Sequence, residues 1–333
     1  MLPFAAVRAD DSRSIVAVAL LSVSIAGGAC HGRPTTTAVS AATTRRTLRL
    51  STGSPGAGFH PLGVALGRVY RDAFPALNLE VIESPGSVHN VEAIQGGEAD
   101  IGFAFADVTY VAFVGGLGDR SFSRLRGMAV LQLNPLHLVV RAQSQIHDVA
   151  ALRGRRVGVG PPGSGTALTA GLVLRAFGID PEAVHAELLQ FNDASARLVA
   201  GELDAMFVNA SYPAESVSMA TRAGARLLAI EGAAVDRLRH DYPFLRLTAI
   251  PASTYASHPA PVHTIGVDNL LLCRGDLDED LVYELTKTFF AALPELVGQQ
   301  RSLRLMDFSQ VPATPIPLHE GAARYYRERE LFR

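Results

Sequence analysis

Cysteine, lysine and surplus positive charge are scarce in this chain, and each shortage removes a class of function. Only two cysteines occur among 333 residues, Cys30 and Cys273, too few for the disulfide framework that staples small secreted domains. The count allows a single Cys30–Cys273 bridge, but an isolated cysteine in the apolar run Leu270 to Cys273 reads as a small buried hydrophobe. The one lysine is Lys287, the arginines are scattered, and the formal net charge is −2. That balance leaves nothing to neutralise phosphates along a nucleic acid, so DNA and RNA are excluded as partners. Ten histidines are present, yet no H-E-x-x-H or paired Cys/His ligand motif occurs, and neither a metal nor another cofactor is expected. The stretch Gly160-Pro161-Pro162-Gly163-Ser164-Gly165-Thr166 has the look of a nucleotide-binding P-loop, but Gly165 stands where that loop needs a lysine. No G-x-S-x-G elbow exists for a serine hydrolase. The carboxylates at Asp276, Asp278, Glu279 and Asp280 sit at a polar helix start, where capping and solvation account for them. The chain is therefore read as a binding protein and not as an enzyme.

What is present begins with a leader. Arg8 and Arg13 precede the apolar run Ile15 to Ile25, followed by Ala26, Gly27, Gly28, Ala29 and Cys30; Asp10 and Asp11 depart from the positive character of such leaders. The run falls short of the ~20 residues that span a bilayer, so residues 1–30 are expected to be an export signal. Small residues before Cys30 leave two outcomes open, lipidation of Cys30 or simple cleavage nearby; lipoprotein sites prefer leucine at the position of Gly27. Residues 31–46 read as a linker. The protein is expected outside the cytoplasm, in the periplasm, touching a membrane only through a lipid on Cys30.

The remainder, in a chain 48% hydrophobic and 19% charged, is long enough for two domains with cores of their own. Leu48 to Ser51, Leu79 to Glu83 and Ile101 to Phe105 read as strands. Between them lie helices, the first through Leu62, Ala65, Leu66, Val69, Tyr70 and Ala73, the second from Val88 to Ile94. This grammar restarts at Arg156 to Gly160, with a helix from Ala167 to Phe177 and a strand from Ala205 to Val208. Gly201-Glu202-Leu203-Asp204 echoes Gly97-Glu98-Ala99-Asp100 at an offset of 104 residues, and Gly163 echoes Gly56 at 107. Such alternation predicts an α/β fold of two similar lobes with a ligand cleft between them. Leu136 to Arg141 and Thr264 to Arg274 read as the hinge strands. The first lobe is then expected over 47–141 and 264–333, the second over 142–263.

Three glycine turns, Gly53 to Gly58, Gly86-Ser87 and Gly163 to Thr166, each open a helix. A helix N-terminus offers unpaired N–H groups and a positive dipole end, and Ser54, Ser87, Ser164 and Thr166 add hydroxyl donors. Together they suit a small carboxylate. Taken singly, each turn is explained by capping alone; their recurrence in two halves favours a site. Asn90 and Asp107 are candidates that as single residues are more often caps. Asn209 and Tyr212 follow a strand at the end where ligands gather, although a half-buried tyrosine is the commoner outcome.

The run Ser51-Thr52-Gly53-Ser54 to Pro61-Leu62-Gly63, with Gly86-Ser87-Val88-His89-Asn90, Gly97-Glu98-Ala99-Asp100, Gly158 to Thr166 and Pro317-Leu318-His319-Glu320-Gly321-Ala322, resembles the TAXI family of TRAP-transporter solute receptors. The resemblance covers about residues 47 to 328. It implies a type II periplasmic binding protein that delivers a small carboxylate, glutamate-like or a dicarboxylate, to the membrane subunits of an ion-driven TRAP transporter. It places ligand-binding residues on Thr52, Gly53, Ser54, Gly86, Ser87, Asn90, Asp107, Gly163, Ser164 and Thr166. Phe59 and Phe105 depart from the family's polar pattern and make one wall of the cleft apolar. Receptors that feed an ATP-driven importer or a membrane sensor share such a fold and stay open as alternatives.

Overall fold

The computed structural model describes residues 46–53, 58–118, 121–256 and 258–330, so the leader, Cys30, the linker up to residue 45 and Ser54 lie outside the described residues. In chain order the strands are β1 (Thr47–Ser51), β2 (Asn78–Ile82), β3 (Ile101–Phe105), β4 (Leu125–Val140), β5 (Arg156–Gly158), β6 (His185–Glu187), β7 (Ala205–Asn209), β8 (Arg226–Leu228), β9 (Leu245–Ile250) and β10 (Val262–Arg274). The α-helices are α1 (Phe59–Ala73), α2 (Ser87–Gly96), α3 (Ala106–Phe113), α4 (Gly165–Ala176), α5 (Phe191–Val199), α6 (Glu215–Arg222), α7 (Ala233–Asp241), α8 (Glu279–Ala291), α9 (Leu293–Gln299) and α10 (Glu320–Glu328). One sheet runs in the order β2-β1-β3-β10-β4-β7-β5-β6, with β8 paired to β4 and β9 to β10.

Parallel pairing governs both ends of this sheet: β1 pairs with β2 and β3, and β5 with β6 and β7. Helical crossovers cover the faces of such strands, so side chains on both faces must be apolar; every residue of β3 and of β7 is buried. Between the two parallel blocks run β4 and β10, antiparallel to their neighbours. The first part of β4 pairs with β10, while Leu136–Val140 pairs with β7. Likewise Val262–Val267 of β10 pairs with β9 and Asn269–Cys273 with β3. Thus β10 joins the first block, β4 joins the second, and the two strands pair with each other between them. The fold is of the two-lobed α/β kind with hinge strands. The reading of Thr264 to Arg274 matches β10, whereas β4 starts at Leu125 rather than Leu136. Arg126, Gln132 and Asn134 interrupt its apolar pattern, which hid the first part of the strand. Cys273 is fully buried with a free thiol, and burial raises its pKa.

The sequence echo is an echo of structure. Asp100 accepts from the Arg49 amide at the start of the first block (2.8 Å) and donates its own N–H to the Arg49 carbonyl (2.9 Å). Asp204 does the same with Arg156 in the second block, at 3.0 and 2.9 Å. The residue leaving each hinge strand closes the pattern: Arg274 ion-pairs with Asp100 at 2.8 Å, and Arg141 with Asp204 at 3.6 Å. Even the turns match, for Glu98 N–H donates to the Ala93 carbonyl and Glu202 N–H to the Arg197 carbonyl, both at 2.8 Å. A carboxylate held by backbone amides in each half explains why a G-E-x-D motif recurs.

After β10, α8 and α9 pack on α1 and α10 packs on α8. Asp278 caps α8 by accepting from the Leu281 amide at 3.0 Å, and Arg324 pairs with Glu279 and Asp280. The acidic cluster is thereby accounted for as a helix cap and its ion pairs. Gly321 is the point of closest approach: a Cβ there would lie 2.6 Å from the Tyr283 amide nitrogen and overlap the Glu279 carbonyl. Tyr70 donates to the Leu285 carbonyl (3.1 Å) and Tyr326 to that of Met128 (2.5 Å), fixing the C-terminal segment.

Candidate functional site

A cleft of about 540 Å³ opens where the parallel strands of both blocks end, the usual ligand position in α/β sheets. The loop before α1 contributes Gly53 and Phe59, and that before α2 contributes Pro85, Gly86 and Ser87. The loop entering α4 supplies Ser164 and Thr166, the segment after β7 supplies Asn209 to Glu215, and the hinge strands form a floor of Gln132, Asn134 and Asn269. Gln299, Gln300, Arg301 and Ser302 close one side.

Local sequence explains the loops. Gly86 and Gly163 have φ of 136° and 74°, values that a side chain disfavours. They let the two loops touch, the Val88 amide donating to the Gly163 carbonyl at 3.1 Å. None of α2, α4, α5 and α6 has a side-chain cap, which leaves first-turn amides to seek acceptors elsewhere.

Polar atoms without partners are concentrated here. Among the described residues seven buried side-chain atoms have none, and five of these belong to the cleft lining: Gln132 Oε1, Ser164 Oγ, Thr166 Oγ1, Asn209 Oδ1 and Ser302 Oγ. Buried polar groups are otherwise almost always satisfied, so such clustering singles out this cleft as a place of unmet hydrogen-bonding capacity. Among the described residues, the only charged ones in the lining are Glu215 and Arg301, both exposed. Phe59 lies 5.4 Å from Phe105 between ring centroids, building the apolar wall expected from those two residues; Phe191 and Tyr212 add further aromatic surface.

Of the residues singled out in the sequence, Gly53, Gly86, Ser87, Ser164, Thr166, Asn209 and Tyr212 come together in this lining. Thr52 stands behind it, donating to the Ile82 carbonyl at 2.9 Å. Asn90 is fully buried, giving its amide hydrogens to the Thr52 and Phe103 carbonyls and accepting from Ser51 and Ser84. With all its capacity used, Asn90 braces the first two loops from beneath. Gly163 acts through its carbonyl on α2. Asp107 is fully buried and accepts from Thr169 (2.5 Å) and the Val108 amide (2.7 Å); burial raises its pKa to about 6 against the pull of these bonds.

Below the cleft, His137 is buried and its pKa is lowered to about 4 by desolvation. Its ring joins the Val208 carbonyl and Tyr255, whose hydroxyl accepts the Ala214 amide at 2.8 Å and so holds the chain entering α6. Sequence reasoning missed Gln132, Asn134, Asn269 and residues 299–302. A usable signal existed for the first three, since amides interrupting apolar strand runs mark positions where a buried strand meets something polar.

Residues 50–329 match the NMT1-like family. Among solved structures the chain is similar to a periplasmic transporter at 13% identity, TM-score 0.52, covering 87% of this chain and 95% of that one. An ATP-bound protein from Xanthomonas citri aligns at 14% identity, TM-score 0.51, covering 86% and 100%. The alkanesulfonate-binding protein SsuA from Xanthomonas axonopodis pv. citri aligns at 18% identity, TM-score 0.47, covering 84% and 83%. Among the described residues no helix is long and apolar enough to cross a membrane.

Proposed function

We propose that this chain, which belongs to the NMT1-like family, is an extracytoplasmic solute receptor that closes its lobes on a small carboxylate and delivers it to a TRAP-type secondary transporter. The observation that carries this reading is the set of five buried, partnerless polar atoms around one cleft flanked by uncapped helix starts. Ser164 and Thr166 sit at the start of α4, where an anion gains from both hydroxyls and the helix dipole. Among the described residues no buried cation lines the cleft, so recognition relies on amides and hydroxyls rather than on a guanidinium clamp. The lobes are divided at 47–141 plus 264–333 and 142–263, and β4 and β10 flex between them. Ligand bridging both sides favours the closed population, in which bonds such as Val88 to Gly163 form. A lipid on Cys30 would hold the receptor at the membrane beside its transporter.

Calorimetric titration of the mature protein with a panel of organic acids tests the reading. A carboxylate that binds the native chain should lose about tenfold or more in affinity in the double variant Ser164→Ala, Thr166→Ala, the scale of one or two hydrogen bonds. Unchanged affinity removes this loop from the site, and binding of no acid at all removes the function. Loss of acid uptake on deleting the gene, restored only together with TRAP membrane subunits, tests the partner.

A further inference from the structure

The cleft reading leaves open what the solute carries besides its acid group, and the hydrogen bonds behind Asn209 bear on that question. Asn209 ends β7 and is buried, with its side-chain nitrogen 3.4 Å from Thr169 Oγ1 and its Oδ1 partnerless in the cleft. Thr169 has one hydroxyl hydrogen, and two acceptors already compete for it, Asp107 Oδ2 at 2.5 Å and the Gly165 carbonyl at 3.0 Å. Its oxygen is then left to accept, so the Asn209 amide can meet it only through N–H. The carbonyl of Asn209 is thereby turned toward the ligand space. On the floor Gln132 Oε1 is likewise partnerless.

Two acceptors facing a cleft require donors on the ligand, and the charge of the lining limits which kind. Among the described residues an ammonium brought into this space would find no buried carboxylate, because Glu215 is exposed and Asp107 lies behind Thr169 without lining the cleft. Burying an unpaired cation costs far more than burying a neutral donor that gains an acceptor. We propose that the solute is an acid bearing an uncharged donor, a hydroxyl or an amide N–H, which Asn209 Oδ1 accepts, with Thr169 and Asp107 as positioning residues that set the direction in which Asn209 faces.

The inference rests on the solute-binding reading and is tested apart from it. Phenylacetate, mandelate and 2-phenylglycine share a ring for the aromatic wall and differ at one carbon by hydrogen, hydroxyl or ammonium. Calorimetry on the mature protein should show mandelate about tenfold tighter than phenylacetate, and 2-phenylglycine weaker than mandelate. Thr169→Val should bring the ratio of mandelate to phenylacetate close to one while Thr169→Ser keeps it, and Asn209→Leu should erase it from the cleft side should Thr169→Val fail to fold. Equal binding of phenylacetate and mandelate, tightest binding of 2-phenylglycine, or an undiminished ratio in Thr169→Val or Asn209→Leu overturns the inference while the receptor reading stands. Binding of none of the three also overturns it, and if the organic-acid panel binds nothing either, the receptor reading falls as well.

Discussion

Replacing Asp107 with asparagine should flatten the dependence of stability on pH. The carboxyl of Asp107 is fully buried, and desolvation raises its pKa from 3.8 to about 6 even though Thr169 and the Val108 amide favour the ionised form. In the unfolded chain the group returns to its ordinary value. Well below its ordinary value it is protonated in both states and costs nothing; as pH rises from about 4 to about 6 the unfolded chain ionises while the folded carboxyl keeps its proton, and above about 6 the folded protein must hold an ion that water would solvate better. Stability is therefore lost as pH rises through the folded pKa. A shift of about two units corresponds to about 3 kcal/mol at about 1.4 kcal/mol per unit. Asparagine keeps the shape and an acceptor for Thr169 but does not titrate. Urea denaturation of both proteins at intervals from about pH 3 to about pH 7 isolates the effect, since every other group, His137 included, contributes to both curves and cancels in their difference. That difference should move by about 3 kcal/mol toward the variant across the window. Parallel curves would refute the claim that this carboxyl is buried with too little compensation.

Other sites give sharp tests. His137 has the opposite sign: with its folded pKa lowered to about 4, its contribution is intact above pH 6.5 and lost as pH falls to about 4, so a His137→Gln variant should lose less stability on acidification than the parent does. Tyr255→Phe takes the acceptor from the Ala214 amide and should cost about 1–3 kcal/mol in denaturation; a neutral result would mean that water replaces the hydroxyl. Gly321→Ala places a methyl against the α8 backbone and should destabilise by about 1–3 kcal/mol despite alanine's better helix propensity, which a gain in melting temperature would contradict. Arg274→Ala strands the buried Asp100 and should cost about 3 kcal/mol, whereas Arg141→Ala should cost less because Asp204 keeps Arg156; equal losses would show that the two clasps are not weighted as their geometry indicates.

Much of this fold could be read from the chain because local signals agreed with global ones. Leu48 to Ser51 alternates apolar and polar residues, Ile101 to Phe105 is a continuous apolar run, and both are strands within a residue of those limits. The G-E-x-D echo was visible because a backbone-binding carboxylate needs the same residues in each half. Reading failed where an element serves two masters. β4 buries apolar side chains along most of its length yet sends Gln132 and Asn134 into the cleft, which breaks its pattern. Asn90 and Asp107 illustrate the converse: a polar residue near a glycine loop carries the same letters whether it faces a ligand or braces the loop from behind, and only depth distinguishes the two. Residues 299–302 reach the cleft from far along the sequence through the packing of α8 and α9 on α1, a route that no local motif records.

The position of β10 between β3 and β4 governs the order in which the protein can be completed. When synthesis has passed Ile250 every other described strand exists, yet β3 has β1 on one flank and an open apolar edge on the other. Such an edge invites pairing with a neighbouring molecule. A nascent chain must stay shielded from its fellows until β10 arrives.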